Sequence, residues 1–367
     1  MSDAESLSSI ESDSEDIGVN EAVTQKNALL EDHPEKDEEE GERLAIERET
    51  REQLLTAARS GELEEVKEIL RYASEENLDV IDSRVEHLPG CCPGDHMSGY
   101  SPLMIACRLG HLEVVKVLKA NGANMELFDM NEKFTALMCA SYYNQPDIVE
   151  LLRDCDHSYQ DAVGRTPLIV AAIQGHLKVV ELLLWESDVD FVDITGSSAL
   201  VHAVKGGQLR IAKLLCDYSA DVDKTDRLCR TALHHASRWG FYGCVKLLLE
   251  RGADVDTRDR KGWTPLMRAC RYNHLECVRL IITKNPLRNI REKSEGRTAL
   301  MLAAMYTNNT GMISLLLLED PEKEDSDERI DVLVKDIYGI QALQMASSVG
   351  VQALIRDIIE LLPNVED

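Results

Sequence analysis

The sequence predicts an all-α protein: a solenoid of stacked helix-turn-helix units with short hairpin loops, preceded by an acidic tail expected to be disordered. Three observations carry this. A short phrase returns along the chain: SPLMIAC at Ser101, TALMCAS at Thr135, TPLIVAA at Thr166, SALVHAV at Ser198, TALHHAS at Thr231, TPLMRAC at Thr264, TALMLAA at Thr298 and QALQMAS at Gln341. The starts lie 34, 31, 32, 33, 33, 34 and 43 residues apart, a near-constant period that marks a repeat architecture. Aromatic residues are few (4 Phe, 3 Trp, 10 Tyr in 367 residues), which suits close helix-on-helix packing through small side chains better than a sandwich or barrel.

Residues 1–50 hold 17 Asp/Glu against 4 Lys/Arg and so carry half of the formal charge of −26. Residues 1–45 show no sustained apolar period, and so polar a segment cannot bury enough surface to offset its ordering entropy. Ser2, Ser8 and Ser12 each have Glu three residues later. Acidophilic kinases favour that spacing, so these are candidate phosphorylation sites that would deepen the charge. A helix is expected from near Glu42, where ERLAIERETREQLLTAARSGELEEVKEIL becomes amphipathic. The repeat domain is placed at 46–367, beginning with a Glu-rich capping unit at 50–72 that lacks the Thr-Pro start.

Each later unit is built by local rules. Its Thr or Ser is a helix N-cap whose hydroxyl accepts from an otherwise orphaned amide. Pro102, Pro167 and Pro265 take the first helical position, where the missing N–H costs nothing. Gly110, Gly175, Gly207 and Gly240, with Asn144 and Asn273, end the first helix in the left-handed conformation. A second apolar run follows, such as HLEVVKVL or HLECVRLII, and then a polar turn such as RGADVDTRD. One such unit cannot bury its own apolar face, so stacking must supply the core. Units are placed from near residues 96, 130, 161, 193, 226, 259, 293 and 336, with insertions at 73–97, containing GCCPGDH, and at the acidic 319–331.

The T-P-L-x-x-A phrase at this period, throughout the repeats, resembles the ankyrin-repeat family. That resemblance implies a non-enzymatic module that binds proteins, with no cofactor. It also makes His234 the family's histidine, bonded near its cap threonine, with Met104, Met138, Met267 and Met301 filling the same position elsewhere as core.

The adjacent His234 and His235 cannot share a metal, because neighbouring helical residues diverge by about 100°. His202, His235 and Arg268 occupy one normally apolar register in three consecutive units. They form either a tolerated, partly buried polar row or a pH-sensitive, partner-contacting strip. Cys91, Cys92 and His96 fall short of the four ligands of a structural zinc site. Most other cysteines lie in apolar helical runs, as small buried hydrophobes. No phosphate loop, nucleophile elbow or H-E-x-x-H helix is present, so neither catalysis nor a metal is expected.

In ankyrin arrays the concave surface comes from the residue before the cap and the last two positions of the first helix. Across the eight units these 24 positions hold eight aromatic, seven basic and no acidic residues, a bias toward the residue types of interface hot spots. The unit at Ser198, with Ser197, Lys205 and Gly206, divides the surface. One patch holds Arg230, Arg238, Trp239, Trp263, Arg271, Tyr272, Arg297 and Tyr306; the other holds Tyr100, Arg108, Phe134, Tyr142 and Tyr143.

The expected function is a scaffold or adaptor whose basic, aromatic groove holds an acidic or aromatic-containing peptide or domain, with the acidic tail as a competitor for it. A substrate receptor or regulatory subunit of a ubiquitin ligase or signalling complex is the alternative, although IRDIIELLPNVED does not match a ligase-scaffold box. The acidic head is shared with the NF-κB inhibitors, but their D-S-G-x-x-S degron is absent. Overall charge argues against nucleic acid, and no run of about 20 apolar residues suits a membrane. A cytosolic or nuclear monomer is expected.

Overall fold

The computed structural model describes residues 34–84, 99–317 and 332–361. The chain divides into two compact units, residues 1–50 and 51–367. In the first, residues 34–50 are described and are helical: α1 (Pro34–Ser60) starts at Pro34 rather than near Glu42. Proline's fixed φ is already helical and its missing N–H is one of the orphans of a first turn. The rest of the expected tail lies outside the described residues, as do Ser2, Ser8, Ser12, the Cys91–Cys92 loop and the acidic insertion.

The second unit is a series of helix pairs. The end of α1 is followed by α2 (Leu63–Glu75) as the Glu-rich end unit. Then come α3 (Pro102–Leu109) with α4 (Leu112–Ala120), α5 (Ala136–Tyr142) with α6 (Pro146–Leu151), and α7 (Pro167–Gln174) with α8 (Leu177–Leu183). The array continues with α9 (Ala199–Lys205) and α10 (Leu209–Asp217), α11 (Ala232–Trp239) and α12 (Tyr242–Glu250), and α13 (Pro265–Arg271) and α14 (Leu275–Ile282). It closes with α15 (Ala299–Tyr306), α16 (Thr310–Leu317), α17 (Ala342–Met345) and α18 (Val349–Leu361). First helices pack in one file from α3 to α17, and second helices in another from α2 to α18. Among the described residues there are no strands, only isolated bridges at Phe128–Thr135, Val192–Ser198 and Lys335–Gln341 that close hairpins.

The caps are those the sequence predicts. Ser101, Thr135, Thr166, Ser198, Thr264 and Thr298 each accept a hydrogen bond from the amide three residues on. All six expected helix-ending residues have positive φ. Met104, Met138, Met267 and Met301 are fully buried, so they are core and not a recognition stripe. Seven of the described cysteines are buried and all eight are free thiols.

The last unit departs from the pattern. Its first helix, α17, is a single turn ended by Ala346 in an extended conformation (ψ 121°), so Ser348 and Val349 are not the end of a first helix. Ser347 instead crosses to the preceding unit, its amide and hydroxyl both donating to the Ala304 carbonyl (3.0 and 3.2 Å). There they satisfy the end of α15, which lacks a left-handed residue and stops at extended Thr307.

Two sets of hydrogen bonds join units. In one, a side chain that opens the second helix reaches back to a carbonyl ending the previous first helix. His111 donates to Arg59 (3.1 Å), His176 to Tyr142 (2.9 Å), Gln208 to Ile173 (3.1 Å) and His274 to Arg238 (3.0 Å). These carbonyls are among the four that every helix leaves unsatisfied. In the other, each hairpin tip donates an amide to the tip before it. The pairs are Ala162 to Glu132, Ile194 to Val163, Arg227 to Thr195, Arg260 to Leu228, Lys293 to Lys261 and Ile337 to Glu295, all at 2.8–3.0 Å.

Gly240 sits where both local and inter-unit demands meet. Its φ is +72° and a Cβ there would collide with the His274 ring. Gly252 has φ +83° but open space around it. Gly252→Ala should therefore cost about 1 kcal/mol for the left-handed backbone, and Gly240→Ala clearly more, because the ring capping Arg238 must move. Urea midpoints of the two variants check this; equal losses would mean the His274 contact contributes nothing.

Candidate functional site

The site is organised by a row of buried carboxylates absent from the sequence reading. Asp129, Asp161, Asp193, Asp226, Asp259, Glu292 and Asp336 each lie five or six residues before a cap, and all are buried. One oxygen of each folds the hairpin by accepting backbone amides. For Asp226 the donors are Leu228 and Arg230 (2.9 and 3.0 Å), for Asp259 Lys261 and Trp263 (both 2.9 Å), and for Asp336 Tyr338 and Ile340 (both 2.8 Å). In Asp161, Asp193, Asp226 and Asp259 the second oxygen takes a cation or a histidine, whereas Asp129 and Glu292 take hairpin donors on both oxygens. Arg165 pairs with Asp161, and Arg230 with Asp226 (2.8 Å).

The His202–His235–Arg268 row fills the same need. His202 bonds Asp193 (2.8 Å), His235 bonds Asp226 (3.1 Å) and Arg268 pairs with Asp259. These side chains serve the fold from inside and form no partner-contacting strip. Burial lowers the pKa of both histidines, against the opposing pull of their aspartates. Burial alone would raise Asp226, but hydrogen bonds from His235 and Arg230 outweigh it and hold the carboxyl well below the usual range.

The carboxylate row sorts the arginines expected in the groove. Arg230 is committed to Asp226. Arg297 pairs with Glu295 and lies 4.0 Å from Asp336, so it is not a free cation either. Arg238 and Arg271 have no ion pair among the described residues. The Arg238 guanidinium lies over Trp239 (5.3 Å) and Tyr272 (5.6 Å), and that of Arg271 over Tyr272 (5.9 Å) and Tyr306 (4.7 Å). Trp239, Arg238, Tyr272, Arg271 and Tyr306 thus alternate as rings and guanidinium groups across three units. The rings are open to solvent, Trp239 at 54%, Tyr272 at 39% and Tyr306 at 43% exposed.

Trp263 does not join them at the surface. It is only 7% exposed, with the guanidinium groups of Arg268 and Arg271 over its ring (4.7 and 5.1 Å). Tyr100 and Phe134, at the same register, are buried too. The residue before the cap points into the seam when it is aromatic, since a ring there gains more from burial than from solvent. These three lie beneath half-buried neighbours: Arg108 over Tyr100, Tyr142 against Phe134, and Arg268 and Arg271 over Trp263.

In the N-terminal patch Arg108 lies over Tyr143 (4.9 Å) and Tyr100 (5.9 Å), and Tyr142 packs on Tyr143 (4.8 Å) and Phe134 (5.9 Å). These residues, with Asp129, Glu132 and Arg165, line a cleft of about 430 Å³. At the dividing unit, Lys205 donates to Ser197 (2.7 Å). Among the described residues no group of three His, Cys, Asp or Glu could hold a metal ion, and no helix is long and apolar enough to cross a membrane.

The family description "Ankyrin repeats (3 copies)" matches residues 28–129, 54–161, 125–194, 150–226, 186–259 and 251–329. The chain belongs to the ankyrin-repeat family. Protein fem-1 homolog A-like of Mus musculus is 32% identical over 105 residues, 26% of this chain and 16% of that protein. The Homo sapiens transient receptor potential cation channel subfamily A member 1 is 35% identical over 123 residues, 32% of this chain and 11% of that protein. A probable 26S proteasome regulatory subunit, p28, of Saccharomyces cerevisiae is 34% identical over 125 residues, 33% of this chain and 55% of p28. The match thus spans well under two thirds of each relative. Among solved structures, the ankyrin repeat domain of Bcl-3 is 27% identical with a TM-score of 0.55, covering 63% of this chain and 97% of that one.

As in ankyrin repeats that keep this histidine, His234 is bonded at its cap. Its Nδ1 accepts from the Thr231 amide (3.2 Å) and its Nε2–H donates to the Trp263 carbonyl of the next unit (2.9 Å). A second proton would break the Thr231 bond, and burial, outweighing the Trp263 bond, lowers the pKa from 6.5 to about 4. The unfolded chain therefore binds more protons between these values. This share of stability is complete above about pH 6.5 and lost as pH falls toward 4, up to about 3 kcal/mol. The share from Asp226 is lost only at lower pH. His234→Met, which installs the residue four other units use, should flatten urea stability between about pH 7 and pH 4.5. An acid loss as large as that of the wild type would remove this account of His234.

Proposed function

We propose that the protein is an interaction module, a scaffold or adaptor of the cytosol or nucleus, that holds an acidic or aromatic-containing segment of a partner protein on the Trp239–Arg238–Tyr272–Arg271–Tyr306 ladder. The observation that carries this is the state of the two arginines. In a chain where Arg165, Arg230 and Arg268 pair with buried aspartates, Arg238 and Arg271 pair with none among the described residues and stack on exposed rings. Stacking keeps the guanidinium N–H edges free to fork onto a carboxylate, while the ring faces take up apolar or aromatic side chains. Arg108 over Tyr143, with Tyr142 beside it, forms a second, half-buried patch.

The likeness to yeast p28 supports a second reading, a regulatory subunit of a protein-degradation assembly. Co-sedimentation with purified 26S proteasomes tests it, and absence from those fractions would dismiss it.

The ladder is tested with Trp239→Ala and Tyr306→Ala. Partners are identified by affinity capture with the wild type, then titrated in purified form. Each substitution should weaken the complex by about 30-fold or more, the scale of an interface hot spot, and shift stability by no more than about 0.5 kcal/mol, as exposed positions do. Unchanged dissociation constants for every partner would exclude the ladder as the binding site.

A further inference from the structure

Beside the ladder, a second surface is built from the hairpin tips. Tips of successive units are joined through their amides, and the donor in each unit is the residue after the buried carboxylate. Along the array these donors are Ala162, Ile194, Arg227, Arg260, Lys293 and Ile337. The same bond to the preceding tip gives them equivalent registers, so Arg227, Arg260 and Lys293 form three consecutive cations at one position. All three are exposed, and none has an ion pair among the described residues.

None of the three is taken up by the carboxylate beside it. Asp226 and Asp259 have their counter-charges in Arg230 and Arg268. Glu292 is saturated by the amides of Ser294, Glu295 and Arg297 and the Ser294 hydroxyl. Lys261, also exposed, adds a further cation at the middle tip. The hydrogen-bonded backbone fixes the spacing of the three cations before an anion arrives, so only their side chains have to be ordered on binding.

Spacing selects the anion. Packed helices lie about 8–10 Å apart, and the tips follow that step. A peptide in the extended polyproline II conformation advances about 3.1 Å per residue with three residues per turn, so three residues cover one step and return to the same face. We infer that the Arg227–Arg260–Lys293 row binds an extended acidic peptide segment with a carboxylate at every third residue. This deepens the interaction reading above and rests on this side of the array being the recognition surface. Nucleic acid fits less well, because the rings that would stack bases already lie against Arg238 and Arg271.

The test uses the full chain and a fluorescent twelve-residue probe (Glu-Ser-Gly repeated), with Glu at every third position. It is titrated by anisotropy at low salt, beside a probe of the same charge with its glutamates adjacent and a single-stranded oligothymidylate. The spaced probe should bind tightest and weaken steeply toward physiological salt, where screening shortens to about 8 Å. Arg227→Ala/Arg260→Ala/Lys293→Ala should weaken it by about tenfold or more, with an unchanged thermal midpoint. Trp239→Ala removes a ring and no cation, so it should weaken the spaced probe by less than the triple substitution does. Equal binding of both peptides, tighter binding of the oligothymidylate, or indifference to the triple substitution overturns the inference. Loss of partner with Trp239→Ala but not with the triple substitution would leave the ladder standing and the tip row refuted. Loss of the probe with the triple substitution, and no effect of Trp239→Ala on any partner, would do the reverse.

Discussion

A carboxylate taken out of water has to be matched by donors or by charge, and this array supplies hairpin donors to all seven of its buried carboxylates and a cation or histidine to four of them. Burying an unmatched carboxylate costs several kcal/mol, and breaking such a pair leaves the partner uncompensated as well. Two amides from the hairpin meet half of the demand. The other half falls on whichever side chain reaches the second oxygen: the residue before the cap in the units of Asp161 and Asp226, and a residue inside the first helix in those of Asp193 and Asp259. Asp129 and Glu292 meet it with hairpin donors on both oxygens instead, and Asp336 has neither arrangement. Asp336 is followed by Ile340 and Met345 at those two registers, its Oδ2 has no hydrogen-bond partner among the described residues, and the nearest cation is Arg297 of the preceding unit, at 4.0 Å.

That demand also prepares the surface. Arg268 is drawn to Asp259 and in the same position covers Trp263, whose buried ring then carries Arg271. Behind the ladder, the His274 ring donates to the Arg238 carbonyl and stacks near Tyr272 (6.5 Å). Arg238 is therefore held at its carbonyl and at its guanidinium, and Arg271 by the rings around its guanidinium, before any partner arrives. Side chains ordered in advance spare the roughly 0.5–1.5 kcal/mol that each loses on immobilisation at an interface.

The fold was legible because its signals are local. The cap recurs in eight registers, a proline follows it in three, and a glycine or asparagine ends the helix nine residues later in six, each acting on its own stretch of chain. The site was less legible because it depends on pairs between registers. Arg230 and Arg238 look alike in sequence, and only the carboxylate near Arg230 separates them. The signal was present: an Asp or Glu stands five or six residues before each cap from Thr135 onward, and its period equals that of the caps. Trp263 was misplaced for a related reason. Its burial is decided by Arg268 and Arg271, farther along the same unit, and by no property of its immediate neighbours. The tip cations were missed because hairpin registers align only once the amide-to-carbonyl bonds between tips are known.

Net charge is a poor guide to what such an array attracts. Half of the −26 belongs to residues 1–50. Much of the remainder in the repeats is spent on structure: the buried carboxylates hold hairpins, and Asp190, Asp223 and Asp256 accept amides from the following unit at 2.8–3.1 Å. A carboxylate paired with an arginine contributes little field at a distance, and screening confines what the others contribute to about 8 Å at physiological salt. Within that range an approaching chain meets whichever charges are unspent. On the surface of the units around Thr231, Thr264 and Thr298 those are cations, because the anions that accompany them in sequence have already been consumed by the fold.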